Sequence, residues 1–98
     1  MKNLIGKKVI VRADRAGVFY GTLTEKEGNE VTLTNARKLY YWSGASAVEQ
    51  LALEGVKNPS GCQFTVVNSE ITIMGVIQIN PCTESAITNI ENVSEWKK

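Results

Sequence analysis

Apolar and polar residues alternate cleanly through the first third of the chain. Lys8-Val9-Ile10-Val11-Arg12-Ala13 puts Val9, Val11 and Ala13 on one face and Lys8, Ile10 and Arg12 on the other, which predicts a strand. Asp14-Arg15-Ala16-Gly17 has Asp first and Gly fourth, the chemistry of a tight turn. Val18 to Lys26 predicts a second strand with Gly21 in its interior, where glycine marks a bulge, a bend or a close backbone approach. Glu27-Gly28-Asn29 turns the chain, and Glu30 to Thr34 alternates as a third strand, completing an antiparallel meander. Asn35-Ala36 then breaks the alternation, as a bulge or sharp corner would. Arg37 to Trp42 resumes it as a fourth strand, with Leu39 and Tyr41 on one face and Tyr40 and Trp42 on the other.

The period then lengthens. Ser46-Ala47-Val48-Glu49 fits a capping box, and a helix is predicted to about Glu54, with Val48, Leu51 and Ala52 as its apolar stripe and Gly55 as C-cap. Lys57 to Gly61 reads as a loop and Cys62 to Val67 as a short strand. Glu70 to Asn80 reads as one long central strand, since Ile71, Ile73, Gly75, Ile77 and Ile79 share a face; Pro81 ends it. Thr83 can cap a second short helix in which Ala86, Ile90 and Val93 align. Trp96 is placed to fold back as a lid on the core. The pattern predicts one α+β domain over residues 1–98. It is a mostly antiparallel, strongly bent sheet or small open barrel, with one capped helix after strand 4 and a short C-terminal helix.

Composition narrows function mainly by exclusion. The 98 residues are 43% hydrophobic and 21% charged, ordinary for a globular domain. The net charge of +1 hides an asymmetry. Residues 1–42 carry Lys2, Lys7, Lys8, Arg12, Arg15, Lys26, Arg37 and Lys38 against Asp14, Glu25, Glu27 and Glu30, while residues 43–98 are net acidic. Long nucleic acid asks for a stronger basic signature than this. Two or three such cations suffice for a small anion, and arginine grips phosphate bidentately. No apolar run is long enough for a signal peptide or a membrane span, so a cytoplasmic protein is expected. Cys62 and Cys82 lack metal-binding spacing and are expected to be free thiols, with a disulfide as the alternative in an oxidising compartment. The sequence contains no histidine, no phosphate-binding glycine loop and no nucleophile-elbow motif. No catalytic residue, metal or cofactor is expected.

The chemistry-rich stretch is Thr34 to Ser46. It holds Arg37 and Lys38, then Tyr40, Tyr41 and Trp42, then Ser43-Gly44-Ala45 ahead of the first helix. One reading is a nucleotide site. Arg37, with Arg12 or Arg15 from the first turn, would pair phosphate, and Tyr41 or Trp42 would stack a base. Thr34 and Asn35 would read a base edge, and amides around Ser43 and Gly44 would complete an anion site at the helix start. The other reading is structural: half the aromatics face the core, the first-turn arginines are a solvated hairpin end, and Asn35 satisfies its own backbone in a corner.

Two resemblances add to this. Gly21-Thr22-Leu23 followed by Val31-Thr32-Leu33-Thr34-Asn35-Ala36 is similar to the first motif of Sm-like proteins, small bent barrels that form RNA-binding rings. Glu27 stands only roughly for their mid-turn aspartate, and the helix after Trp42 falls where their second motif belongs. Over nearly the whole chain, Ala16 to Leu23, Val31 to Lys38, Tyr41 to Ala45, Val56-Lys57 and Ile79 to Glu84 resemble a family of small phage and prophage proteins, akin to viral sponges that sequester cyclic-nucleotide immune signals. That resemblance implies a homo-oligomer with ligand near subunit contacts, and Asn35, Arg37, Tyr41, Trp42 and Gly44 are its matching positions. The combined expectation is a phage-encoded, non-enzymatic protein of the infected bacterial cytoplasm that sequesters a signalling nucleotide and inhibits anti-phage immunity. The alternatives are an Sm-like single-stranded RNA-binding ring, a structural oligomeric phage protein and a weak hydrolase.

Overall fold

Val9, Ile10 and Val11 are successive and all fully buried, which requires that the strand carrying them be covered on both faces. A computed structural model describes residues 3–97 and shows how. Strands β1 (Lys8–Ala13), β2 (Gly17–Glu27) and β3 (Glu30–Tyr41) form the predicted antiparallel meander. Then come helix α1 (Val48–Glu54), a 3₁₀ turn at Pro59–Gly61, and β4 (Gln63–Phe64). β5 (Asn68–Ile73), β6 (Val76–Pro81) and α2 (Glu84–Glu91) complete the chain. The sheet runs β4-β3-β2-β1-β6 with every pairing antiparallel, and β5 also pairs β3; the strands do not close into a barrel.

The predicted third and fourth strands are one. β3 continues through Asn35, which adopts φ 48°, and is long enough to serve two partners in series on one edge: β5 along Val31–Ala36 and β4 at Leu39–Tyr41. Against β2 the register slips by one residue between the pairs Tyr20↔Arg37 and Thr22↔Thr34, and slips back between Leu23↔Leu33 and Glu25↔Thr32. Each slip is a bulge, which bends a strand and increases its twist. Gly21 lies at the first bulge because nothing larger fits: a Cβ there would stand 2.9 Å from Ala36 Cβ and 3.1 Å from Leu33 Cβ.

The predicted long central strand is in fact two outer strands. Gly75, at φ 76°, breaks the isoleucine alternation. β5 goes to the β3 edge of the sheet and β6 to the β1 edge. Both faces are thereby covered. One core packs Val9, Val11, Ala13, Phe19, Leu23, Val31, Leu33, Ala36, Ile73 and Val76, all sheet residues enclosed by the sheet's own curvature. The other packs Ile10, Tyr20, Leu39 and Phe64 against Val48, Leu51, Ala52, Val56, Ala86, Ile90 and Val93, from the two helices and the segments that follow them.

α2 starts as predicted: Thr83 Oγ1 accepts from Ala86 N–H at 3.1 Å, and Ala86, Ile90 and Val93 are buried. α1 starts one residue later than its capping box implied. Ala47 holds the N-cap position without a side-chain bond, while the amide and hydroxyl of Ser46 both donate to Gln50 Oε1. Glu49, the other half of the expected box, instead accepts from Gln78 Nε2 on β6.

Candidate functional site

Arg37 is the first correction. Its side chain is 2% exposed, and its donors are committed inside the protein. Nε donates to Thr65 O at 3.0 Å, Nη2 to Phe64 O at 3.1 Å, and Nη1 to Ile90 O and Val93 O at 3.2 and 2.9 Å. Two of these carbonyls lie where α2 ends, the negative end of a helix, which suits a buried cation. The guanidinium also lies 5.5 Å from the centre of the Phe64 ring. Burial pulls its pKa down and the charge of Glu95 opposes that. Arg37 therefore fastens α2 and β4 to β3; four of its five N–H donors are used inside the protein, and its burial keeps it from a phosphate at the surface.

The helix-start anion site is the second correction. Ser46 N–H goes to Gln50 and Ser43 N–H to Cys62 Sγ at 3.4 Å, while Ser43 Oγ accepts from Asn58 Nδ2. Gly44 (φ 89°) abuts the chain at Lys57 and Asn58, where a Cβ would fall 2.7 Å and 2.8 Å from their amide nitrogens. Ser43 and Gly44 thus form a packed crossing. Trp42 is half-buried and packs against the helix-side core.

The remaining predicted positions are dispersed. Arg12 is exposed on β1 opposite Gln78, and its charge adds to the hydrogen bond from Gln78 that chiefly holds the Glu49 carboxyl below its ordinary range. Arg15 occupies the β1–β2 turn at φ 67°. Thr34 pairs Thr22 and Glu70 in mid-sheet, and Asn35 fills the left-handed position of the bulge, a backbone role asparagine tolerates. Tyr41 is 55% exposed, opposite Gln63.

One exposed aromatic surface involves a residue outside the expected set. Tyr40 is 60% exposed and lies parallel to Trp96, with ring centroids 5.5 Å apart and an interplanar angle of 3°. Trp96 does fold back, but onto Tyr40 instead of the core. Its position is built by neighbours: Trp96 N–H donates to Phe64 O at 2.8 Å, Glu95 bridges Phe64 in parallel, and Glu95 Oε2 accepts from Val67 N–H at 3.0 Å. Lys38, two residues along β3 on the Tyr40 side, reaches over the Phe19 ring at 5.8 Å. Its Cε lies 3.0 Å from where a Cβ on Gly17 would stand, so the turn that carries Arg15 runs beside it. Alternation had assigned Tyr40 and Trp42 to one face; the bulge against β4 between Leu39 and Tyr41 unmakes that pairing.

Elsewhere, the Tyr20 hydroxyl donates to Glu91 Oε2 at 2.6 Å, and Lys8 Nζ bonds the same oxygen. Burial, then Glu91, push the Tyr20 pKa well above its ordinary value. Burial works against the Glu91 charge, but the bonds from Lys8 and Tyr20 outweigh it and hold the carboxyl low. Cys62 and Cys82 are free thiols, and burial pushes Cys82 up to about 12, away from nucleophilic chemistry. Among the described residues no three of His, Cys, Asp and Glu gather to hold a metal ion, and no helix is long and apolar enough to cross a membrane.

Fold and surface together define a small α+β domain, six antiparallel strands and two short helices, that displays a fixed pair of stacked aromatics. Residues 6–90 match a family described as a domain of unknown function (DUF6948), and the chain belongs to that family. A search of curated proteins found no match.

Proposed function

We propose that this domain binds, without chemistry, a ligand that joins a flat ring to negative charge, and that a signalling nucleotide held for sequestration is that ligand. The supporting observation is the Tyr40–Trp96 stack, an aromatic surface held flat by backbone bonds while Tyr40 stays mostly exposed. A base docking on it removes apolar surface from water and meets a ring already fixed in orientation. Lys38 lies on the Tyr40 side with the turn that carries Arg15 beside it, and the two cations would meet the phosphates; Tyr41 flanks the pair. Sequestration in the service of anti-defence, by a homo-oligomer, is the use that the phage-family resemblance suggests for such a surface.

The test is incubation with a panel of cyclic di- and trinucleotides and cyclic ADP-ribose isomers, then heat denaturation and chromatography of what is released. Intact nucleotide recovered only after denaturation supports the reading. Stacking is worth about 1–3 kcal/mol per base, so Trp96→Ala is expected to weaken binding roughly 5- to 150-fold with the fold retained. Altered nucleotide would mark an enzyme, and no retention of any panel member would overturn the proposal.

A further inference from the structure

A second site lies at the other end of the β2–β3 hairpin from Tyr40. A groove of about 540 Å³ runs between β6, the β2–β3 turn and the segment Asn3–Ile5, within the range of small-molecule sites. Leu4, Ile5, Leu23, Ile77 and Ile79 give it an apolar lining. Ile77 enters it through a bulge. Ala13 pairs Val76 and Arg12 pairs Gln78, so Ile77 is the extra residue, left 62% exposed.

Two features restrict the occupant. Val76 N–H donates to Asn29 O at 2.9 Å, so the start of the β6 edge is already taken by the hairpin turn and does not offer a free ladder to an added strand. Among the described residues the lining charge is a single cation, Lys26, whose Nζ is held on Gly28 O at 2.9 Å with two further donors to give. Lys26 pairs Val31, which is buried, while Glu25 and Glu27 alternate to the opposite face of β2; no lining residue is acidic. A ligand matched to this groove has an apolar chain, needs no backbone pairing, and ends in a negative charge.

We propose that the groove binds a single-chain amphipathic carboxylate, its acyl chain among Ile5, Leu23, Ile77 and Ile79 and its carboxylate on Lys26 Nζ. This site is independent of the Tyr40–Trp96 surface. The full chain, labelled at its isoleucine and leucine methyls, would be titrated with octanoate and decanoate below their micellar concentrations. Saturable shifts confined to the lining methyls, with decanoate roughly tenfold tighter than octanoate for its two extra methylenes, support the proposal. Lys26→Glu, on an exposed side chain, is expected to weaken decanoate at least fivefold while the remaining spectrum is unchanged. Decyltrimethylammonium, with the same chain and the opposite charge, is expected to bind at least tenfold more weakly than decanoate. Absence of saturable shifts, equal binding of the cation, or unchanged affinity in Lys26→Glu would each overturn it.

Discussion

The two cores on opposite sides of the sheet are held by different physics. The one enclosed by the sheet's curvature is built of aliphatic side chains and Phe19, and its order comes from backbone shape: two bulges, Gly21 and the break at Gly75. The helix-covered core contains Arg37 and Tyr20, whose polar ends bind four carbonyls and a carboxylate. Apolar contact alone does not specify where a short helix sits on a sheet. Directional bonds from Arg37 to the end of α2, and from Tyr20 and Lys8 to Glu91, do specify it. Asn89 adds a third tie, since its amide receives Val56 N–H and donates to Val56 O, clamping α2 to the chain just past α1.

The sharpest way to break this contrast is Arg37→Ala. It takes a donor from four carbonyls, of which Phe64 O and Ile90 O keep only a backbone N–H, and removes the cation that faces the carbonyls at the end of α2. A loss of about 3–5 kcal/mol is expected from chemical denaturation, with amide exchange rising first in α2. Arg37→Lys is expected to recover little, because one ammonium cannot span the four acceptors. On the other side of the sheet, Gly21→Val forces atoms against Ala36 and Leu33 and is expected to cost about 1–3 kcal/mol, read as a lowered denaturation midpoint with α2 exchange unchanged relative to the rest.

The smallest effect belongs to Tyr20→Phe, about 1 kcal/mol at pH 7, because Glu91 is partly exposed and its bond is screened. Its pH dependence is diagnostic. The Glu91 carboxyl titrates lower in the fold than in the unfolded chain, so its contribution is complete above the ordinary glutamate value of about 4.3 and fades as pH falls through the folded value. The gap between wild type and variant should narrow in denaturation series below about pH 4. The Tyr20 hydroxyl is shifted upward, so wild type loses stability as pH rises beyond about 10, where the unfolded chain ionises; the phenylalanine variant should lack that decline.

Local features of this protein were legible in its sequence, and features made by distant neighbours were not. Alternation placed β1 at its observed bounds, Asn35-Ala36 marked the bulge, and the Thr83 cap and the Ala86–Ile90–Val93 stripe identified α2. Gly75 defeated the same reasoning: five residues of one parity look like one strand until a single positive φ divides them between opposite edges. Arg37 looked like a free cation because the carbonyls it serves lie 27 to 56 residues away. Trp96 is separated from Tyr40 by the same kind of gap, so neither side of the stack announces the other.

The placement of β6 also dictates an order of assembly. β1 leaves the ribosome well before the strand that covers its second edge, which spans residues 76–81, nearly seventy positions later. At about 5–20 residues per second, Val9, Ile10 and Val11 wait several seconds beside one partner, with a sticky edge open to other chains. Such long-range pairings are slow to form, so the nascent meander is the phase in which a chaperone or a stray strand would find this protein.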